Sequence, residues 1–437
     1  MMNDFDKLSD DIEKFSGRGI RLGLARISRL LSRIGSPEKN LRVIHVLGTN
    51  GKGSTAASME SICLAAGMRT ALYTSPHLVS LQERLRISGS YLPAAAWRGA
   101  WERAAGAVME DEELNASRPT FFESLTALCF LMMQEAEVDI AVVEAGLGGR
   151  YDATSACRPA AVVVTPIGMD HMEYLGNTLE SIAAEKFAAI RRGVPAFYAA
   201  NGGAPAELFK RACSEAGSPR FELSRIAEPR NIVCSLGGTS FDYMDLRVFT
   251  PLAGIHQAYN AANAVSVLRT LREISGGFER IDDFAIKNGL ANVNWPGRME
   301  ARNIDGRVVI LDGAHNAHGF RALESSLRLM MREGVIKKIG AFVFAVMKDK
   351  DITEIIPRIV SFGVPVYCTE AARTERAASC YELADKINGE AAAQMPRRAF
   401  PYENAARALN AAVEASGEGE VVVCCGSLYL VGNLKRF

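Results

Sequence analysis

The sequence predicts an α/β protein: an N-terminal ATPase-type domain with a phosphate loop on a parallel sheet, then a smaller Rossmann-like α/β domain. Three observations carry this expectation. Short Val- and Ile-rich runs alternate with longer stretches of helical period. The runs are apolar on both faces, as in parallel strands covered by helices on each side. A glycine-rich turn follows the first of them. The chain has 437 residues, more than one ordinary domain, and 48% of them are apolar, enough for a core in each part.

The N-terminus, MMNDFDKLSDDIEKFSG, is acidic and amphipathic, with no apolar stretch of the secretory kind. No run of about 18 apolar residues occurs, so no transmembrane helix is expected. The nine cysteines are scattered, odd in number and form no C-x-x-C pair. That usage predicts reduced, mostly buried thiols and a cytoplasmic location. The adjacent Cys424 and Cys425 read as part of an apolar strand. Lys plus Arg equals Asp plus Glu at 50 each. Zero net charge without a basic stripe weighs against nucleic acid as a partner.

Leu41 to Leu47, LRVIHVL, reads as a buried strand, followed by a glycine loop and a helix from Ser54. Asp139 to Ala145 and Ala160 to Thr165 read as strands of the same kind. Between the first strand and Asp139, PTFFESLTALCFLMMQEA has the period of a buried helix, with Pro119 near its start. From about 220 to 255 polar and apolar residues mix around Gly-Gly and Pro, which predicts short antiparallel strands decorating the first domain. The helix AYNAANAVSVLRTLREIS follows. NVNWPGRMEA then breaks the pattern at Pro296 and Gly297, and marks a hinge between domains 1–296 and 297–437. Beyond it, RVVILDGAHN, KIGAFVFAVM, VPVYCTE and EVVVCCGSL predict strands. RALESSLRLMMREG, ITEIIPRIVSFG and Ala405 to Ala415 predict helices.

Four segments carry chemistry. HVLGTNGKGS, His45 to Ser54, lies between a strand and a helix, where a phosphate loop belongs. Gly48, Gly51 and Gly53 let backbone N–H groups converge on phosphate oxygens, Lys52 adds positive charge, and Ser54 can bind Mg2+ at the helix N-terminus. The spacing differs from the Walker form, because Gly53 separates Lys52 from Ser54. In VVEAGLGGRYDATSA, Glu144 ends a buried strand, where a carboxylate faces the ligand crevice of an α/β sheet. It could hold Mg2+ near the phosphate-loop serine; read alone, a strand-end glutamate is more often a helix cap or salt-bridge partner.

Asp170 and His171 follow another strand end, and His171 reads as a metal ligand, a base or a packed loop histidine. Lys186, after Glu185 on a helix, reads by itself as a surface lysine paired with an acid. In LDGAHNAHGF, Asp312, His315 and Asn316 cluster at a strand end, either as a site or as an Asx turn and helix N-cap. His318 reads as a helix-surface residue.

Together these stretches resemble the folylpolyglutamate synthase and dihydrofolate synthase family, within the Mur ligase superfamily. HVLGTNGKGS, TSPHL with ERLRISG, TFFE, VVEAGLGGRYDAT, DHMEYLG with IAAEK, HQAYNAANA, WPGR, LDGAHN, MKDKD and GSLYLVG occur in the family's order from about Gly19 to the C-terminus. The resemblance implies an ATP-dependent ligase that adds L-glutamate to dihydropteroate or to the tail of a folate. A substrate carboxylate attacks the ATP γ-phosphate, and the glutamate amine then displaces phosphate from the acyl phosphate. Closure of the second domain over the first, near Trp295 to Arg298, would exclude water.

The resemblance also implies residue roles. Asn50, Gly51, Lys52 and Gly53 hold ATP phosphates. Ser54, Glu144 and His171 bind Mg2+, with Lys186 as a carbamate binding a second ion. Asn260, Arg298 and Asp312 contact ATP, and His315 and Ser427 lie near the incoming glutamate. Ser75, Pro76, His77 and the segment Phe121 to Glu123, with Phe122 at its centre, lie on the folate side. A monomer without nucleic-acid or membrane partners is expected. The chain departs from the family at Ser155, where Asn is usual, and at Tyr151, where an aliphatic residue is usual; both bear on fine substrate preference. A P-loop switch or transport ATPase would have no need of the second domain's motifs. A Mur-type ligase acting on cell-wall precursors is the alternative within the superfamily.

Overall fold

A computed structural model describes residues 3–199, 202–371, 376–391 and 398–436. Packing divides the chain into two compact units, Met1–Glu228 with Asn260–Val293, and Pro229–Tyr259 with Asn294–Phe437.

The first unit is built on an eight-stranded sheet. Its strands are β1 (Val43–Leu47), β2 (Thr70–Tyr73), β3 (Leu85–Ile87), β4 (Ser90–Tyr91), β5 (Ile140–Glu144), β6 (Ala161–Val164), β7 (Ala196–Tyr198) and β8 (Arg220–Glu222). The order is β4-β3-β2-β5-β1-β6-β7-β8. β1 lies between parallel β5 and β6, His45 pairing with Val143 on one side and Val162 on the other. Only β3 runs against the rest, so the β2–β3 and β3–β4 pairings at one edge are antiparallel. Every residue of β1, β5 and β6 is buried, which is why these strands read as unbroken apolar runs. The register brings the ends of β1, β5 and β6 to one edge, so the loops after them share a crevice.

The helix Phe121–Glu135 starts at an N-cap, Thr120, whose hydroxyl accepts from the Glu123 N–H while the Glu123 carboxylate takes the Thr120 N–H. It is apolar nearly all round and correspondingly buried from Glu123 to Met133. Truncating its fully buried Phe130 to alanine is expected to cost about 3–5 kcal/mol.

The second unit holds two sheets. β9 (Arg230–Ser235), β10 (Gly238–Tyr243) and β11 (Leu246–Thr250) form an antiparallel meander. β12 (Glu300–Ile304), β13 (Arg307–Leu311), β14 (Lys338–Phe344), β15 (Val366–Cys368), β16 (Ala399–Pro401) and β17 (Glu420–Cys425) form a sheet ordered β12-β13-β17-β14-β15-β16. It is parallel except for β12.

The three-stranded meander groups with this second unit rather than with the first domain, where the sequence reading puts it. Cys234 and Ala253 bury themselves in the same core as Met299 and Phe320. A short antiparallel sheet needs a covering surface to be stable, and alternation alone does not say which surface supplies it.

All nine cysteines are buried and free. Burial is the first cause that raises every one of these thiols above its ordinary value. Among the described residues no helix is long and apolar enough to cross a membrane.

Candidate active site

The phosphate loop joins β1 to the helix Lys52–Ala65. Gly48 has φ +132° and Gly51 φ +83°, both in the left-handed region that glycine adopts without strain. Close packing adds a second reason for glycine. A Cβ on Gly48 would strike Thr165, and one on Gly51 would strike the amide of Asn260. Asn260, nearly buried, therefore sits against the loop, with Lys52 and Ser54 beside it at the helix start. The Lys52 ammonium donates to the Thr49 carbonyl at 3.1 Å and lies 3.9 Å from Glu144 Oε1.

Glu144 ends β5 and is 5% exposed. Its Oε2 accepts from the Ser75 N–H at 3.3 Å. Ser75 precedes a cis-Pro76 in the loop after β2. Glu83 gathers the next turn of that loop by accepting from the N–H groups of Leu78, Val79 and Ser80 at 2.7, 3.0 and 2.9 Å. His77 Nδ1 receives Arg84 Nε at 3.0 Å, and the Arg84 guanidinium lies 5.8 Å from the Phe121 ring. Phe122 stacks on Tyr73 at 6.3 Å, and its ring fills the space that a side chain on Gly146 would need.

Lys186 departs most from its plain reading. It is no surface lysine: it is 5% exposed and donates to the Gly48 carbonyl at 2.8 Å, tying its helix, Leu179–Phe187, to the phosphate loop. Burial lowers its pKa to about 7, with the Lys52 charge as the second cause and Asp170 and Asp152 opposing. Glu185 pairs with Arg150 instead. His171 occupies the position ahead of the short helix Met172–Leu175, with a left-handed φ of +52° and no side-chain cap bond, and its N–H goes to Asp170 Oδ1 at 2.9 Å.

A buried relay went unread in the sequence. Asp152 accepts from the N–H groups of Leu147 and Thr154 at 2.7 and 3.0 Å and from the Thr154 hydroxyl. The Thr154 hydroxyl meets His45 Nε2 at 2.7 Å. Burial raises the Asp152 carboxyl and lowers His45 to about 3, so His45 is neutral. The relay fixes the loop directly after Glu144. Asp152 and Thr154 are neighbours, but His45 lies 109 residues from Thr154, so spacing carries no signal for the histidine's part. Glu83 did carry one: S-x-x-E from Ser80 is a capping-box pattern.

In the second unit the remaining predicted residues gather at the carboxyl ends of neighbouring β13 and β17. Asp312 accepts from the N–H groups of Met299 and Ala314, both at 2.8 Å. The Gly313 N–H goes to the Gly297 carbonyl at 3.0 Å, and a side chain at Gly313 would run into Arg298. The Gly426 N–H reaches the Ala314 carbonyl at 2.9 Å, which joins the two turns. His315 Nδ1 lies 2.8 Å from the Gly313 carbonyl. Asn316 caps the helix Ala317–Arg332, and Ser427 caps Leu428–Lys435. Here the Asx-turn and N-cap readings of Asp312 and Asn316 both describe real bonds.

Among the described residues no three His, Cys, Asp or Glu side chains form a metal cage. Mg2+ is ordinarily held by one or two carboxylates, hydroxyls and nucleotide phosphates, with retained waters. The buried Ser54 hydroxyl and the Glu144 carboxylate are hard oxygen donors of that type at the phosphate loop, so the residues fit an ion that arrives with a nucleotide.

Two family models match the chain: the Mur ligase middle domain over residues 46–268, and the Mur ligase glutamate ligase domain over 297–428. A dihydrofolate synthase/folylpolyglutamate synthase of Bacillus subtilis is 30% identical over 428 residues, covering 96% of this chain and 95% of that protein. Mycobacterium tuberculosis folylpolyglutamate synthase complexed with ADP is similar at a TM-score of 0.87 and 27% identity, over 99% of this chain and 98% of that one. The bifunctional folylpolyglutamate synthase/dihydrofolate synthase of Yersinia pestis, complexed with AMPPNP and Mn ion, has a TM-score of 0.80 and 27% identity over 99% and 97%.

Proposed function

The chain belongs to the folylpolyglutamate synthase and dihydrofolate synthase family of Mur ligases, and on that premise we propose that it is an ATP-dependent ligase adding L-glutamate to dihydropteroate, to the glutamate tail of folates, or to both. The observation that best supports this is the convergence of Lys52, Glu144 and Lys186 around one phosphate loop.

In this reading the N–H groups of Asn50, Gly51, Lys52 and Gly53 hold the ATP phosphates, and the Lys52 ammonium offsets charge on the transferring phosphoryl group. Asn260 packs against the same loop as an ATP contact. Arg298 and Asp312 are the second unit's ATP contacts, and His315 and Ser427 belong to the glutamate side. Ser75, Pro76, His77 and Phe122 belong to the folate side, where the half-buried Phe122 ring, backed by the buried Tyr73, offers an apolar face. The substrate carboxylate attacks the γ-phosphorus and releases ADP. The glutamate amine attacks the resulting acyl phosphate, phosphate departs, and the amide remains. Positioning and charge neutralisation carry the chemistry, with little demand for a protein acid or base.

Ser54, Glu144 and His171 would hold Mg2+, which supplies charge neutralisation on the phosphates when bound. Lys186 would complete a second Mg2+ site as a carbamate. Its amine attacks CO2, an N–C bond forms, and a proton leaves to give a carboxylate. A buried amine lowered to about 7 is partly neutral near physiological pH, the form with a lone pair to give. Labelled bicarbonate followed by carbonyl-carbon NMR tests this step: a carbamate resonance absent from Lys186→Arg is expected, and an identical spectrum from both proteins would remove it.

The function is tested by phosphate release from MgATP with L-glutamate, run separately with dihydropteroate and with a reduced folate monoglutamate. Activity with one substrate or both assigns the reaction. No glutamate-dependent release with either, together with release on a nucleotide-sugar peptide, would move the chain to the cell-wall ligases.

A further inference from the structure

The first unit also carries a polar cleft at the edge of its sheet remote from the phosphate loop. The cleft has a volume of about 680 Å3 and lies beside the segments that enter β2, β5, β1 and β6. β1 alone spans five residues, so about 16 Å of strand separates the two edges. Ligands of open α/β sheets bind at the carboxyl edge, so nothing in the ligase reaction accounts for a cleft here.

Four cations line it: Lys39 and Arg42 ahead of β1, Arg158 ahead of β6, and Arg280 beyond the helix Ile255–Ile274. Asp139 and Glu279 share the lining, but backbone N–H groups engage both carboxylates. Asp139 accepts from the Arg69 N–H at 2.8 Å, and Glu279 from the Gly277 N–H at 2.8 and 3.0 Å. The pull of Arg42 and Arg280 on Glu279 ranks below that of the N–H groups.

Two of the cations have structural duties. Arg42 donates to the Gly276 carbonyl at 3.0 Å and lies 5.7 Å from the Phe278 ring, and Arg280 reaches the Gly67 carbonyl at 3.4 Å. Lys39 and Arg158 are exposed, and their side chains make no hydrogen bond or ion pair among the described residues. Their convergence with two arginines has no account in the packing. Like charges gathered in one cleft repel, and an anion relieves the repulsion. Planar guanidinium forks suit phosphate and carboxylate oxygens.

We propose that this cleft is an accessory site for a small polyanion, a multiply phosphorylated or polycarboxylate molecule, separate from the ATP site. The test is calorimetric titration of the full chain carrying Lys52→Ala, which disables the phosphate loop, with tripolyphosphate and with tri-γ-glutamate at near-physiological salt. At least one probe is expected to bind one to one. Adding Lys39→Gln and Arg158→Gln is expected to weaken that binding roughly tenfold or more, because each cation contributes a charge-assisted contact. Glu279→Gln, which removes a neighbouring negative charge, is expected to tighten it severalfold. Binding of tripolyphosphate alone assigns a phosphorylated ligand, and binding of tri-γ-glutamate alone a polycarboxylate. Binding of neither probe, or binding indifferent to all three substitutions, overturns the proposal.

Discussion

Glu144 and Asp312 occupy equivalent places in the two units. Glu144 is the last residue of β5 and Asp312 the first after β13, each is followed within two residues by glycine, and each is almost fully buried. Their surroundings differ. Asp312 spans two backbone N–H groups at 2.8 Å each, which pins Met299 to the turn after β13. Glu144 faces the Lys52 ammonium at 3.9 Å and accepts from the Ser75 N–H at 3.3 Å. The short backbone bonds make Asp312 a fastener of its turn, besides the ATP contact proposed for it. Glu144, opposite the phosphate-loop lysine, is the carboxylate proposed to meet a metal cation. One sequence signal, an acid at a strand end, thus serves two physical ends.

Substitutions can break or sharpen this contrast. The largest effect is expected from Lys52→Ala, about a thousandfold in kcat/KM for glutamate-dependent phosphate release, because a charge aimed at the transferring phosphoryl group is lost. Glu144→Gln should follow, about a hundredfold, with the thermal unfolding temperature nearly unchanged. Loss of stability with retained turnover would make Glu144 a fastener like its counterpart.

Asp312→Asn should cost stability, about 1–3 kcal/mol by urea denaturation, besides any loss of the proposed ATP contact, since the two N–H groups go to different carboxylate oxygens and an amide keeps only one of these as an acceptor. An unchanged urea midpoint with a collapse of activity would erase the contrast.

The smallest effect is a pH dependence. The folded Lys186 amine, at about 7, lies below its ordinary 10.5. Between those values the unfolded chain binds the extra proton, so stability rises with pH through this window and the penalty is full below it. Lys186→Met without bicarbonate should flatten the rise by roughly 1–2 kcal/mol between about pH 7 and 9. A parallel rise in the variant would mean that another group carries it.

The legible parts of the molecule are those whose causes are local. β1, β5 and β6 are readable because burial on both faces demands unbroken apolar residues. The phosphate loop is readable because Gly48 and Gly51 need left-handed backbone and space. Lys186 is not readable from its own helix. Its partner, the Gly48 carbonyl, is 138 residues away, and resemblance alone drew attention to it. The His45–Thr154–Asp152 relay is hidden for the same reason. The meander β9 to β11 is legible as strands and not as an address, since its inward residues do not name the core they join.

The nine buried thiols have a practical consequence. A thiolate is the species that reacts with alkylating reagents, and each of these cysteines is both shielded and pushed away from ionisation. In the native protein all nine should therefore stay silent toward a maleimide, and labelling should proceed only as molecules open. The chain thus carries its own stopwatch for unfolding, and a single cysteine introduced on the surface would take a fluorophore without competition from the rest.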